Sequence, residues 1–118
     1  MKTKSDLNVL IPDLVELVRN NNHEIGGCEY DCDENGACRC DDPIENYVCY
    51  EQGGWTIEVI YGCCGEWDSD DTLHRAWGHV TEIIASHYDD ATGELSEFSD
   101  EDFDDLMIAL NDELSDIA

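Results

Sequence analysis

Residues 28–40 read CEYDCDENGACRC and set Cys28, Cys32, Cys38 and Cys40 around an Asn-Gly pair and a row of acids. As a hairpin, Glu34-Asn35-Gly36 makes a three-residue loop with Gly36 left-handed. That register puts Cys32 opposite Cys38, and strand alternation then places all four thiols on one face. Four thiolates, or three with His23 or Cys49 substituting, form the soft tetrahedral set that holds a structural Zn2+. Such an ion, the one cofactor expected here, would add its binding free energy to the folding of a hairpin poor in apolar residues. A two-residue Asn-Gly loop would instead put Cys32 across the sheet from the others. The spacing C-x3-C-x5-C-x-C is not that of a familiar finger or ribbon, and reduced cysteines acting as small half-buried hydrophobes fit the same stretch.

The stretch also imitates a calcium loop, because Asp31, Asp33, Asn35, Gly36 and Asp42 fall on positions 1, 3, 5, 6 and 12 of the EF-hand pattern. Arg39 at position 9, the short carboxylate of Asp42, the following Pro43 and the lack of flanking amphipathic helices argue against calcium. Disulfides are disfavoured by the odd count of 7 cysteines and by the reducing compartment expected below. At Cys63-Cys64, neighbouring strand residues point to opposite faces, so one thiol is expected to pack inward.

Catalytic machinery is not evident. His74, His79 and His87 fall on different azimuths of a helix read over residues 69–90, H-E-x-x-H is missing, and no P-loop, nucleophile elbow or dinucleotide turn occurs. Carboxylate pairs carry little information in a chain with 30 Asp and Glu. A non-enzyme is expected.

The elements that would position these groups follow from periodicity. Leu7, Leu10, Ile11, Leu14, Leu17 and Val18 recur at helical spacing, with Ser5 as a cap; Pro12 makes 12–20 the firmer helix and 5–11 a looser lead-in. YVCYEQGGWTIEVIY reads as two strands around Gly53-Gly54, with Val48 and Tyr50 on one face of the first and Trp55, Ile57, Val59 and Tyr61 sharing a face on the second. A helix is expected over Ser69–Asp90, on the stripe Leu73, Trp77, Val80, Ile84 and Tyr88, with Asp70 and Asp71 at its positive end. A last helix opens at Ser99, where Ser99 and Asp102 form a capping-box pattern, and carries Phe103, Leu106, Met107, Leu110, Leu114 and Ile117. The expected architecture is one α+β domain over residues 1–118: an N-terminal helix, a three- to four-stranded antiparallel sheet of hairpins, and two C-terminal helices.

Charge dominates the composition: 30 Asp and Glu against 5 Lys and Arg, a formal charge of −25. Nearly all the excess lies beyond residue 27, where Arg39 and Arg75 are the cations. Such a field repels nucleic acid and anionic membranes and steers a protein toward basic partners. No stretch is long and apolar enough to span a membrane, and the short run Val9–Ile11 before Pro12 is not a secretory signal, so a cytoplasmic location is expected. On the last helix, read as eighteen residues spanning about 27 Å, eight acids give one charge per ~3.4 Å, the phosphate spacing along one strand of B-DNA. Glu101, Asp105, Asp112 and Asp116 share the side opposite the apolar stripe. Asp31, Asp33, Glu34, Asp41 and Asp42 of the hairpin would extend the field.

In size, charge and helix pattern over residues 28–118 the chain resembles the small acidic nucleic-acid mimics of phages and mobile elements, including anti-restriction and anti-CRISPR inhibitors, which share no motif. The resemblance implies a stoichiometric inhibitor, acting in the host bacterial cytoplasm, that occupies the basic channel of a nuclease or guide-RNA effector. Two other classes suit the same residues: an immunity protein or antitoxin against a basic toxin, and a structural zinc or thiol protein whose acidity solubilises it. Each accommodates a homodimer.

Overall fold

The computed structural model describes residues 2–27, 44–67 and 73–117, so the cysteine-rich hairpin lies outside the described residues. Within that span the chain is α+β. Helices α1 (Lys4–Asn8) and α2 (Ile11–Arg19) lead into the short strand β1 (Gly26–Gly27). Strands β2 (Ile44–Gln52), β3 (Trp55–Trp67), β4 (Leu73–Asp89) and β5 (Glu94–Glu97) follow, and a 3-10 turn (Asp100–Phe103) runs directly into helix α3 (Asp104–Glu113).

Pro12 sits in the first turn of α2, where its missing N–H costs nothing. The cap of α1 falls on Thr3 rather than Ser5, because the Asp6 carboxylate reaches back to accept the Thr3 N–H at 2.8 Å. The β2–β3 hairpin turns at Gly53 and Gly54, whose φ angles of 58° and 86° suit glycine. Its register pairs Val48 with Val59 and Tyr50 with Ile57. Trp55, Ile57, Val59 and Tyr61 therefore share a face, and all four are buried.

β2 through β5 form four antiparallel strands in which β3 is central. β1 continues the β2 edge of β3, pairing in parallel with Cys64 and Gly65. Asn46 holds this junction together: its side chain accepts the Glu24 N–H at 2.8 Å and donates to the Glu24 carbonyl at 2.9 Å, as a strand's backbone would.

The helix expected over Ser69–Asp90 is a correction: residues Leu73–Asp89 are strand β4, paired along β3 from Trp67 to Trp55. The cause is one extra residue. Ile60 pairs with Glu82 and Tyr61 with Val80, so Thr81 is a bulge that reverses which parity faces inward. Ala76, Gly78 and Val80 face the helices before it, and Ile83, Ala85 and His87 after it. Shifting a period of two by one residue creates spacings of three and four, which imitate a helical stripe. The supposed stripe is in fact divided: Val80 is buried, whereas Ile84 and Tyr88 are exposed on the opposite face. Thr81 Oγ1 donates to the Ile60 carbonyl at 3.1 Å, and the Val80 N–H donates to Asn111 Oδ1 at 2.9 Å.

The core lies between the inner sheet face and the helices. Leu7, Leu14 and Val18 meet Phe103, Leu106, Leu110 and Leu114 over Ile57, Val59 and Tyr61. Ser99 starts the last helical segment as its sequence predicts, with Asp102 accepting the Ser99 N–H at 3.0 Å. The regular helix is shorter than expected: ten residues, Asp104–Glu113, or about 15 Å. Its end is drawn to the sheet, since the Gly78 N–H donates to the Leu114 carbonyl at 2.7 Å and the Ile117 N–H to the Ala76 carbonyl at 3.1 Å. Those bonds bind the chain after α3 to β4 and stop the helix.

Candidate partner-binding surface

Two acidic surfaces emerge. The first is the helical one. Glu101, Asp105, Asp112 and Asp116 are all exposed. Because the regular helix begins at Asp104 and ends at Glu113, Glu101 projects from the 3-10 turn and Asp116 from the segment after the helix. Asp105 and Asp112 alone share a regular helical face, two turns or about 10 Å apart. The uniform phosphate-like ladder over eighteen residues is therefore replaced by carboxylates on three consecutive segments. Asp105 accepts from Asn8 Nδ2 at 3.1 Å and lies 3.9 Å from Lys4 Nζ. Glu101, Asp112 and Asp116 have no ion-pair partner among the described residues.

The neighbouring Glu113 is different. Arg19 Nε and Nη2 donate to its two carboxylate oxygens at 2.8 and 3.1 Å, joining α2 to α3. That hydrogen-bonded guanidinium holds the Glu113 carboxyl below its ordinary value and raises Arg19 in return. Close by, Asn21 Nδ2 donates to the buried Tyr61 hydroxyl at 2.8 Å, and that hydroxyl stands 2.8 Å from His23 Nδ1. Desolvation lowers the His23 pKa, partly opposed by the charge of Glu113, so burial favours the neutral ring beside the Tyr61 hydroxyl.

The second surface is the sheet face turned away from the helices, which the helical reading of residues 69–90 concealed. The register places Glu45, Glu51, Glu58, Glu82 and Glu97 on it. A groove of about 550 Å³ opens between Glu45, Ile60, Gly62, Thr81, Glu82 and Asp100. Tyr47 donates its hydroxyl to Glu58 at 3.0 Å; hydrogen bonding with Cys49 and with this carboxylate pushes the phenol up to about 12. The alternating acids of β2 signal this face in the sequence, but those of β4 and β5 join it only through the Thr81 bulge.

Asp31, Asp33, Glu34, Asp41 and Asp42, and the metal candidates Cys28, Cys32, Cys38 and Cys40, lie outside the described residues. Among the described residues no group of three or more His, Cys, Asp or Glu is placed to hold a metal ion. Cys63 and Cys64 are both buried, where one was expected inward. Cys63 faces the core, whose desolvation pushes its thiol up to about 11, unsuited to nucleophilic or redox work. His74 and His79 are exposed, while His87 is buried, packed edge-on against Trp55 and bonded to the Gly53 carbonyl at 3.0 Å. The His87 ring seals the hairpin turn.

No family model matches the chain, and neither a curated protein nor a solved structure does. No helix among the described residues is long and apolar enough to cross a membrane.

Proposed function

We propose that this chain is a stoichiometric inhibitor that presents an acidic, DNA-like surface to a basic nucleic-acid-binding protein, such as a restriction or CRISPR effector. It acts by occupancy rather than by catalysis. The observation that carries the reading is the exposure of Glu101, Asp112 and Asp116 without an ion-pair partner among the described residues, on a chain of formal charge −25. The molecule is a rod of 58 × 23 × 22 Å, a length equal to about 17 base-pair steps at ~3.4 Å each. Carboxylates would replace phosphates against Lys and Arg, with long-range attraction raising the association rate and close contacts fixing specificity. A structural zinc on Cys28, Cys32, Cys38 and Cys40 is compatible with this role, and metal analysis of protein purified under reducing conditions tests it.

Affinity capture from bacterial lysate tests the function. The retained protein is expected to be a nucleic-acid-binding protein that elutes with salt and is displaced by added DNA. Reversal of Glu101, Asp105, Asp112 and Asp116 to Lys should abolish capture with the fold intact; retention by the fourfold variant, or indifference to DNA, would count against mimicry.

A further inference from the structure

Solvated faces of antiparallel sheets ordinarily alternate polar residues outward. Here the outward positions of β2–β5 include Tyr47, Ile60, Ile84, Tyr88 and Leu95. Tyr47, Ile84, Tyr88 and Leu95 are 52%, 48%, 50% and 51% exposed. The register makes them neighbours. Tyr47 lies across from Ile60, Ile84 is one position diagonal to Ile60, and Tyr88 pairs with Leu95 two positions further along. The intervening and flanking outward positions carry the five glutamates described above. By contrast, the exposed apolar side chains Val9, at the C-cap of α1, and Ile108, on α3, lie on separate elements, as scattered surface residues commonly do.

The charge selects the occupant. A second copy would bring the same glutamates against one another, and an anionic lipid surface would meet the same repulsion. Large apolar anchors within a charged rim are how energetic centres of protein interfaces are built.

We propose that the outer face of the β2–β5 sheet is the anchoring surface for a basic protein partner, one that sets apolar side chains among its Lys and Arg residues. Tyr47, Ile60, Ile84, Tyr88 and Leu95 receive the apolar side chains and the surrounding glutamates pair with the cations. The proposal rests on the inhibitor reading and adds to it where the close contacts are made. Carboxylates of α3 and its flanks steer the encounter; the sheet face holds the complex.

Two synthetic peptides of equal length and equal lysine count test this on the full chain, one alternating Lys with Ser and the other an amphipathic Lys/Leu helix. The Lys/Leu peptide should bind about tenfold more tightly, equivalent to ~1.4 kcal/mol. Tyr88→Ser with Leu95→Ser, or separately Ile84→Ser, should remove most of that advantage and leave Lys/Ser binding unchanged. Ile108→Ser on α3 should alter neither. Circular dichroism verifies the fold, and Ile84→Ser serves if the double variant unfolds. Equal affinity for the two peptides, or an advantage that survives both variants, overturns the sheet-face proposal while the acidic-mimic reading stands. Sedimentation showing a wild-type dimer that Ile84→Ser dissociates also overturns it, since a second copy would then cover the face. Failure of both peptides to bind at low salt overturns the mimic reading together with it.

Discussion

Arg19 on α2 holds Glu113 on α3 through two parallel hydrogen bonds of 2.8 and 3.1 Å, and the residues are 94 apart in sequence. The two helices that cover the sheet are thus clipped at the surface by a planar pair that lysine cannot reproduce. Because the folded state lowers the Glu113 pKa, its contribution to stability is full above the ordinary glutamate value and is lost as pH falls through the lowered one. Arg19→Lys should flatten the acid limb of the stability profile, measured by urea unfolding at successive pH values; an unchanged limb would mean the pair contributes nothing to folding.

His23 works in a higher range. Its pKa is lowered by burial, so the unfolded chain takes up the proton first, and stability should decline as pH drops from the ordinary histidine value toward the lowered one. The difference between wild type and His23→Gln in that window isolates the effect from the chain's other titrations. Tyr61→Phe should cost on the order of 1 kcal/mol by leaving Asn21 and His23 without their shared hydroxyl.

Asn111 supplies an acceptor for the Val80 N–H beside the bulge. Asn111→Ala should destabilise by about 1–3 kcal/mol, the cost of a buried unpaired donor. Hydrogen exchange at Val80 should accelerate more than at Val59; uniform acceleration would show that the side chain merely packs.

Gly54 adopts φ 86°, and a Cβ there would collide with the Tyr88 carbonyl. Gly54→Ala should cost roughly 1–3 kcal/mol through strain in the left-handed region. Gly53→Ala, in open space at φ 58°, should cost less. Thermal melts of the two variants rank them, and equal costs would put the strain in the turn type rather than in that contact.

Self-repulsion across a formal charge of −25 gives a test with no mutation. The melting temperature should rise steadily with NaCl as screening shortens the Debye length from about 30 Å at 0.01 M to ~8 Å at 0.15 M. A flat response would indicate that the carboxylates are already compensated.

The parts legible in sequence were those where local signals agreed. Gly53-Gly54 between alternating apolar runs specified the β2–β3 hairpin, and Ser99 with Asp102 marked the start of the last helical segment. The exposure of Glu101, Asp105, Asp112 and Asp116 followed from the burial of Phe103, Leu106 and Leu110. β4 was not legible, because Thr81 reverses its parity and the register of β3 alone shows which residue is extra. The outer-face glutamates were hidden for the same reason: Glu82 and Glu97 join Glu45, Glu51 and Glu58 only once β4 is a strand. The end of α3 depended on Gly78 and Ala76, more than thirty residues away in sequence, capturing the backbone at Leu114 and Ile117.

Thr81 acts on side chains as an inserted letter acts on a reading frame. Absorbing that residue into regular alternation, in place of the bulge, would turn one half of the strand over. Ile83, Ala85 and His87 would then point to water while Ile84 and Tyr88 entered the interior, or Ala76 and Val80 would be evicted. The bulge at Thr81 therefore decides which aromatic and aliphatic groups this chain conceals and which it offers to the outside.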